Sequence, residues 1–181
     1  MSKQDIEKEL KGKGEFVQIN YIERFIKKDL PLEIKKFSYL KLAEIYEGKG
    51  MFSNAAKSFE SAAALSIAFS EKIRNFMKAT ELYIKSGLFD TADYSMKRAI
   101  AEANSREKRD IILSVKNMYR NQAEAYEREK RRNNAVRIYE KLLEMDISED
   151  ERREIKKRLL GLYEKLGKLR EYYALIRKQE S

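Results

Sequence analysis

Between residues 43 and 62 the chain sets Ala43, Tyr46, Gly50, Phe52, Ala55, Phe59 and Ala62 at fixed distances, with polar residues between them. The same spacing returns as Tyr83, Gly87, Phe89, Ala92, Met96 and Ala99. It returns again as Ala123, Tyr126, Ala135, Tyr139 and Leu142, with Lys130 where the glycine stood. A fourth copy keeps Tyr163, Gly167 and Leu169, replaces the alanine by Tyr172 and puts Ile176 in the later apolar slot. A worn copy precedes them all: Leu10, Gly14, Phe16, Ile19 and Ile26, closed by Pro31. The steps between Gly14, Gly50, Gly87, Lys130 and Gly167 are 36, 37, 43 and 37 residues. Recurrence at that period restricts the fold to stacked supersecondary units.

On both sides of the glycine, apolar residues recur at three- and four-residue intervals, so each copy predicts two amphipathic helices. The glycine falls just past the first helix, where a left-handed cap is cheap without a Cβ. Small residues such as Ala43 and Ala55 let the two helices approach, and Tyr46 and Phe59 fill the space between hairpins. One hairpin cannot bury both apolar faces, so the hairpins stack. Helices are expected near 3–11, 15–29, 32–48, 52–67, 71–86, 89–104, 106–130, 132–145, 149–166 and 168–179. Ser2 with Asp5, Ser70 and Ser105 suit helix starts, and Pro31 suits a first turn. In the long seventh helix Ile111/Ile112, Val115, Met118/Tyr119, Gln122/Ala123 and Tyr126 form one stripe, and the longer step adds about two turns at its N-terminal end. The expectation is one continuous domain over 1–181, with repeats near 3–31, 32–67, 71–104, 106–146 and 148–179.

Composition agrees with an all-α fold: one Pro, seven Gly and 38% charged residues. Without Cys there is no disulfide, thiolate nucleophile or Cys-based zinc site, and without His the commonest general base and metal ligand are missing. Lys/Glu/Arg richness resembles a thermophile's composition. The net charge is +9 and the pI near 9.5, but the 30 acids are interspersed with the 39 bases. No apolar run nears the ~18 residues that cross a bilayer, and the N-terminal stretch lacks a signal peptide's apolar region. A soluble, cytoplasmic protein is expected.

The pattern small, two residues, aromatic, three residues, Gly, one, aromatic, two, Ala resembles the tetratricopeptide repeat family over roughly residues 6 to 179, although every step exceeds that family's usual ~34 residues. The longer hairpins, and "ATELYIKSGLFDTA" in particular, are also similar to the soluble NSF attachment proteins. The resemblance implies a right-handed α-solenoid of about five antiparallel hairpins, whose first helices line a concave groove that takes a partner peptide or helix. The groove residues it implies are Phe37, Leu40, Glu44 and Glu47; then Arg74, Met77, Glu81 and Lys85; then Asn117, Arg120, Glu124 and Arg128; and finally Lys157, Glu164 and Lys165. Some family members clamp a C-terminal carboxylate with an ordered Lys–Asn–Asn–Lys–Arg set. Leu40 and Glu44 stand where its first two members would be, so that ligand class is unsupported. In the last helix Leu169, Tyr172, Tyr173, Leu175 and Ile176 are expected to have no further repeat to cover them, and exposure of Leu169, Tyr173 and Leu175 would allow an end-to-end homodimer or a docking site for another protein.

Other motifs reduce to structure. Asp146, Ser148 and Asp150 alternate as in a calcium loop, but Glu151 and Lys157 hold the places that need Gly and Glu. Ser148 with Glu151 reads instead as a capping box. The basic clusters at 127–137 and 152–158 contain acids, and Tyr119, Tyr126 and Tyr139 occupy packing positions rather than stacking sites. Glu124 and Glu127 lie one turn apart, as do many exposed acid pairs in a helix-rich chain. No catalytic set, metal site or cofactor motif stands out. The expected function is a non-catalytic protein-interaction scaffold, the alternative a basic RNA- or ribosome-associated helical-repeat protein.

Overall fold

The computed structural model describes residues 2–180, and side chains as far as Arg177. Ten α-helices and no strand occur among them: α1 (Lys3–Leu10), α2 (Glu15–Ile26), α3 (Leu32–Gly48), α4 (Phe52–Leu65), α5 (Phe69–Ser86), α6 (Phe89–Glu102), α7 (Ser105–Arg128), α8 (Arg132–Leu143), α9 (Glu149–Leu166) and α10 (Leu169–Glu180). The protein is an all-α helical-repeat protein, as the recurrence predicts. The chain divides after Ile111 into two compact units, each with its own core.

In the first unit α2 packs on α3, α3 on α4, α4 on α5 and α5 on α6. Ala43, Ala55, Ala62, Ala92 and Ala99 are fully buried, so helix axes approach where these side chains meet. Tyr46 and Tyr83 are buried with them, and their long rings fill the gap to the preceding hairpin. A larger side chain at any of these alanines would overpack the core, at a cost of about 1–3 kcal/mol. Phe59 and Met96, at the equivalent later position, are half-buried.

In the second unit Val115, Tyr119, Ala123 and Tyr126 of α7 are buried at every third or fourth residue. Ile112 lies off this stripe and is exposed, as is Leu113. Here α8 packs on α9 and α9 on α10. Helix α7 has 24 residues, against 17 in α3 and 18 in α5 and α9. The extra length is helix rather than loop, about two turns of it.

The turns between paired helices are set by backbone handedness. Gly50, Gly87 and Gly167 have φ of 70°, 76° and 67°, the left-handed region that carries the chain out of one helix toward the next. Lys130, aligned with them by spacing alone, has φ 59° and is the one non-glycine in that region among the described residues. The first copy departs from this register. Gly14 has φ −62° and sits at the N-cap of α2, while the left-handed residue is Gly12 at 76°. Helix α1 has only eight residues, and its turn is longer by one or two residues than those of the other hairpins. Phe16, expected at a packing position, is therefore 65% exposed, with the Lys49 ammonium 4.2 Å from its ring centre.

Helix starts follow the expected caps in two places and shift in three. Ser2 with Asp5 and Ser148 with Glu151 form capping boxes. Asn104 caps α7, its side-chain oxygen accepting the Arg106 and Glu107 N–H groups, so Ser105 is the first helical residue and not the cap. Ser70 lies inside α5, which begins at Phe69 behind Ala68. Pro31 precedes α3 as its cap residue, one position before the first turn. Among the described residues no helix is long and apolar enough to cross a membrane.

Candidate functional site

In each unit the first helices of successive hairpins stand side by side, tied by ion pairs at a recurring register. In the first unit Lys78 of α5 reaches Glu47 of α3 at 2.8 Å, and Lys36 of α3 reaches Glu71 of α5 at 3.0 Å. In the second, Arg120 of α7 bonds Glu151 of α9 at 2.6 Å, and Arg158 of α9 bonds Glu127 of α7 at 3.1 Å. Three of these pairs are separated by 31 residues and the fourth by 35, one helical turn more. The spacing is the repeat length less the stagger between neighbouring helices.

On the α3/α5 face the expected residues divide into two groups. Glu47, Glu81 and Lys85 are held in the charge network: Lys78 also bonds Glu81 at 3.2 Å, and Lys85 bonds Glu81 from the next turn. Burial alone would push the Glu81 carboxyl up, but hydrogen bonds and charges from Lys85 and Lys78 outweigh it and hold the group below its ordinary value. The Lys78 ammonium is likewise kept charged by Glu47 and Glu81 against its partial burial. The second group remains available for contact. Phe37, Leu40 and Met77 are half-buried apolar side chains, and Arg74 is exposed, 4.0 Å from Glu71. Glu44 is exposed and pairs with Lys41 of its own helix, at 3.0 Å. Lys3 and Lys41 stand 5.8 and 5.7 Å from the Phe37 ring centre.

On the α7/α9 face Arg158 is the hub. It bonds Glu127 and Glu154 and, at 3.2 Å, the hydroxyl of Tyr139, while Glu124 lies 3.7 Å away. Tyr139 in turn donates to Glu127. The hub borders an open hollow of about 390 Å³ lined by Lys157, Gly161, Leu162 and Lys165. Asn117, Arg128, Lys157, Glu164 and Lys165 are exposed, whereas Arg120 and Glu124 are drawn into ion pairs. Glu151 has its pKa lowered to about 2, chiefly because the Ser148 backbone N–H donates to it and then because Arg120 does. The capping box, and not a calcium loop, is what the acids at 146–151 form.

Part of each basic cluster is committed to neighbours. Arg152 and Arg153 pair with Glu149 and Asp150, Arg131 with Glu129, and Arg158 with the hub. Tyr119, Tyr126 and Tyr139 are at most 2% exposed and offer no stacking face. In α10 Leu169 and Tyr173 are exposed, Leu175 is half-buried, and Tyr172 meets Tyr173 edge to face at 5.5 Å.

Spacing by itself missed Lys78, Lys36 and Arg158, the residues that join neighbouring first helices. Opposite charges 31 or 35 residues apart, repeated in both halves, were the available signal.

Residues 119–153 match the tetratricopeptide repeat family, a stretch that holds the end of α7, all of α8 and the start of α9. A comparison with curated proteins finds no match.

Proposed function

From a tetratricopeptide-like helical-repeat protein, whose matching family is typically non-catalytic, we propose a protein-interaction scaffold that docks a partner peptide or helix on the α3/α5 face. The observation that carries this reading is the division of labour on that face. The Lys78–Glu47 and Lys36–Glu71 bonds fix the two helices, and Phe37, Leu40 and Met77 stay half-buried between charged residues. A pre-formed surface of this kind loses little ordering entropy on binding. Apolar side chains ringed by charge supply contact area at the centre and selectivity at the rim. Asn117, Arg128, Lys157 and Lys165 offer a second, more basic surface on the α7/α9 face.

Photo-crosslinking from position 77 in native lysate, with position 57 on the exposed side of α4 as the control, tests the reading. The expected result is a protein adduct specific to position 77 that survives nuclease and high salt and disappears with Leu40→Glu. Adducts that vanish on nuclease treatment would instead mark the RNA-associated alternative.

A further inference from the structure

Helix α2 presents a face apart from the first helices that make the α3/α5 surface. Its buried side is formed by Ile19, Ile22, Phe25 and Ile26. Across the helix, Val17, Asn20, Tyr21, Arg24, Phe25 and Lys28 line an open hollow of about 510 Å³. Val17, Tyr21 and Phe25 follow one another at four-residue intervals over about 12 Å, from exposed Val17 through half-buried Tyr21 to Phe25, which is 4% exposed and borders the hollow only by its edge. Val17 is 55% exposed. The Tyr21 and Phe25 rings are stacked, 6.0 Å between centres and 8° from parallel, and Lys13 and Lys28 stand over them at 5.1 and 5.8 Å.

The charges that line the hollow have one sign. Among the described residues Arg24 and Lys28, one turn apart, have no carboxylate partner, and no acid lines the hollow. That pattern selects the occupant. A stripe with helical spacing beside two uncompensated cations fits an amphipathic helix whose apolar ridge is flanked by Asp or Glu. A second copy presenting α10 fits less well, because Arg170 and Arg177 outnumber Glu171 around its exposed Leu169 and Tyr173. We infer that the outer face of α2 docks an acidic amphipathic helix of a partner protein.

The test uses the full chain and two fluorescently labelled synthetic helical peptides with the same leucine ridge, one flanked by Glu and one by Lys. Anisotropy titration should show the Glu-flanked peptide binding at least about tenfold more tightly than its Lys-flanked twin. Arg24→Glu with Lys28→Glu should weaken it about tenfold, and Tyr21→Ser about fivefold, with helix content unchanged. Met77→Ala, on the α3/α5 face, should leave this binding as it was, which separates the two surfaces. No binding, equal binding of both peptides, indifference to Arg24→Gln with Lys28→Gln, or displacement of the peptide by a single-stranded RNA oligomer would each overturn the inference.

Discussion

Tyr163 of α9 donates its hydroxyl to Oε1 of Glu140 on α8 at 2.7 Å, across a gap of 23 residues. The same bond, at the same separation, joins Tyr83 to Glu60 at 2.9 Å and Tyr46 to Glu23 at 2.6 Å. Each fastens the first helix of a hairpin to the last helix of the hairpin before it, so the tyrosine of the repeat is both a space-filler and a stitch. At Tyr126 the residue 23 positions earlier is Ala103, a consequence of the lengthened α7, and the chain divides into its two units nearby.

Removing the stitch should cost stability without disturbing the packing. Tyr163→Phe keeps the ring and loses a charge-assisted hydrogen bond, so urea unfolding should report a loss of about 1.5 kcal/mol. Tyr83→Phe should cost more, about 2–3 kcal/mol. Glu60 already has one buried oxygen with no hydrogen-bond partner, and the substitution would strand the other.

The tyrosines bonded to carboxylates also predict the alkaline limit. Burial, followed by the neighbouring carboxylates, pushes the phenols of Tyr83, Tyr139 and Tyr163 well above their ordinary value, and Tyr46 in the same direction. In the unfolded chain they ionise near pH 10. Above that pH the unfolded state releases protons the folded state keeps, so unfolding gains on folding. This contribution is complete below about pH 10 and lost as pH rises through the folded values. Absorbance titration should show tyrosines ionising late and together with loss of helical circular dichroism, and earlier in a Glu60→Gln, Glu140→Gln variant only if the carboxylates, and not burial, set the shift.

Glu151 governs the acid side. Its pKa falls from 4.5 to about 2 through the Ser148 cap and Arg120. A lowered carboxyl contributes stability that is complete above the unfolded value and lost as pH falls toward 2. Ser148→Ala should cost about 1 kcal/mol at neutral pH. Glu151→Gln should shrink the difference in stability between pH 6 and pH 3, read from thermal melts at both.

Much of the architecture was legible because it repeats. Ala43, Tyr46, Ala55 and Ala62 recur with fixed spacing, and each recurrence constrains the same buried contact, so helix positions and the long α7 follow from the pattern. The first copy misled because Gly14 matches the spacing of a turn glycine while Gly12 supplies the turn. A single short helix gives spacing too few apolar residues to fix its register. The candidate faces were legible as positions but not as chemistry. Whether Glu47 or Glu44 is free depends on which side chain of the next repeat lies opposite, and that needs the stagger between helices, which a repeat length does not contain.

The handedness of the turns gives the sharpest check of that register. Lys130 occupies a left-handed conformation, φ 59°, that costs an L-residue about 1–2 kcal/mol and a glycine nothing. Glycine gives back part of this through its larger entropy loss on folding. Lys130→Gly should therefore stabilise the second unit by about 0.5–1 kcal/mol, and Gly87→Ala, at φ 76°, should destabilise the first by about 1 kcal/mol. Gly14→Ala is the contrast. At φ −62°, with nothing within 4 Å of the added Cβ, it meets no steric obstacle, and the weaker N-cap is offset by reduced freedom in the unfolded chain. Urea titrations of the three variants should rank Lys130→Gly above the parent, Gly14→Ala level with it and Gly87→Ala below it. A stabilised Gly87→Ala or a destabilised Lys130→Gly would show that the turns do not share the conformation the repeat assigns them.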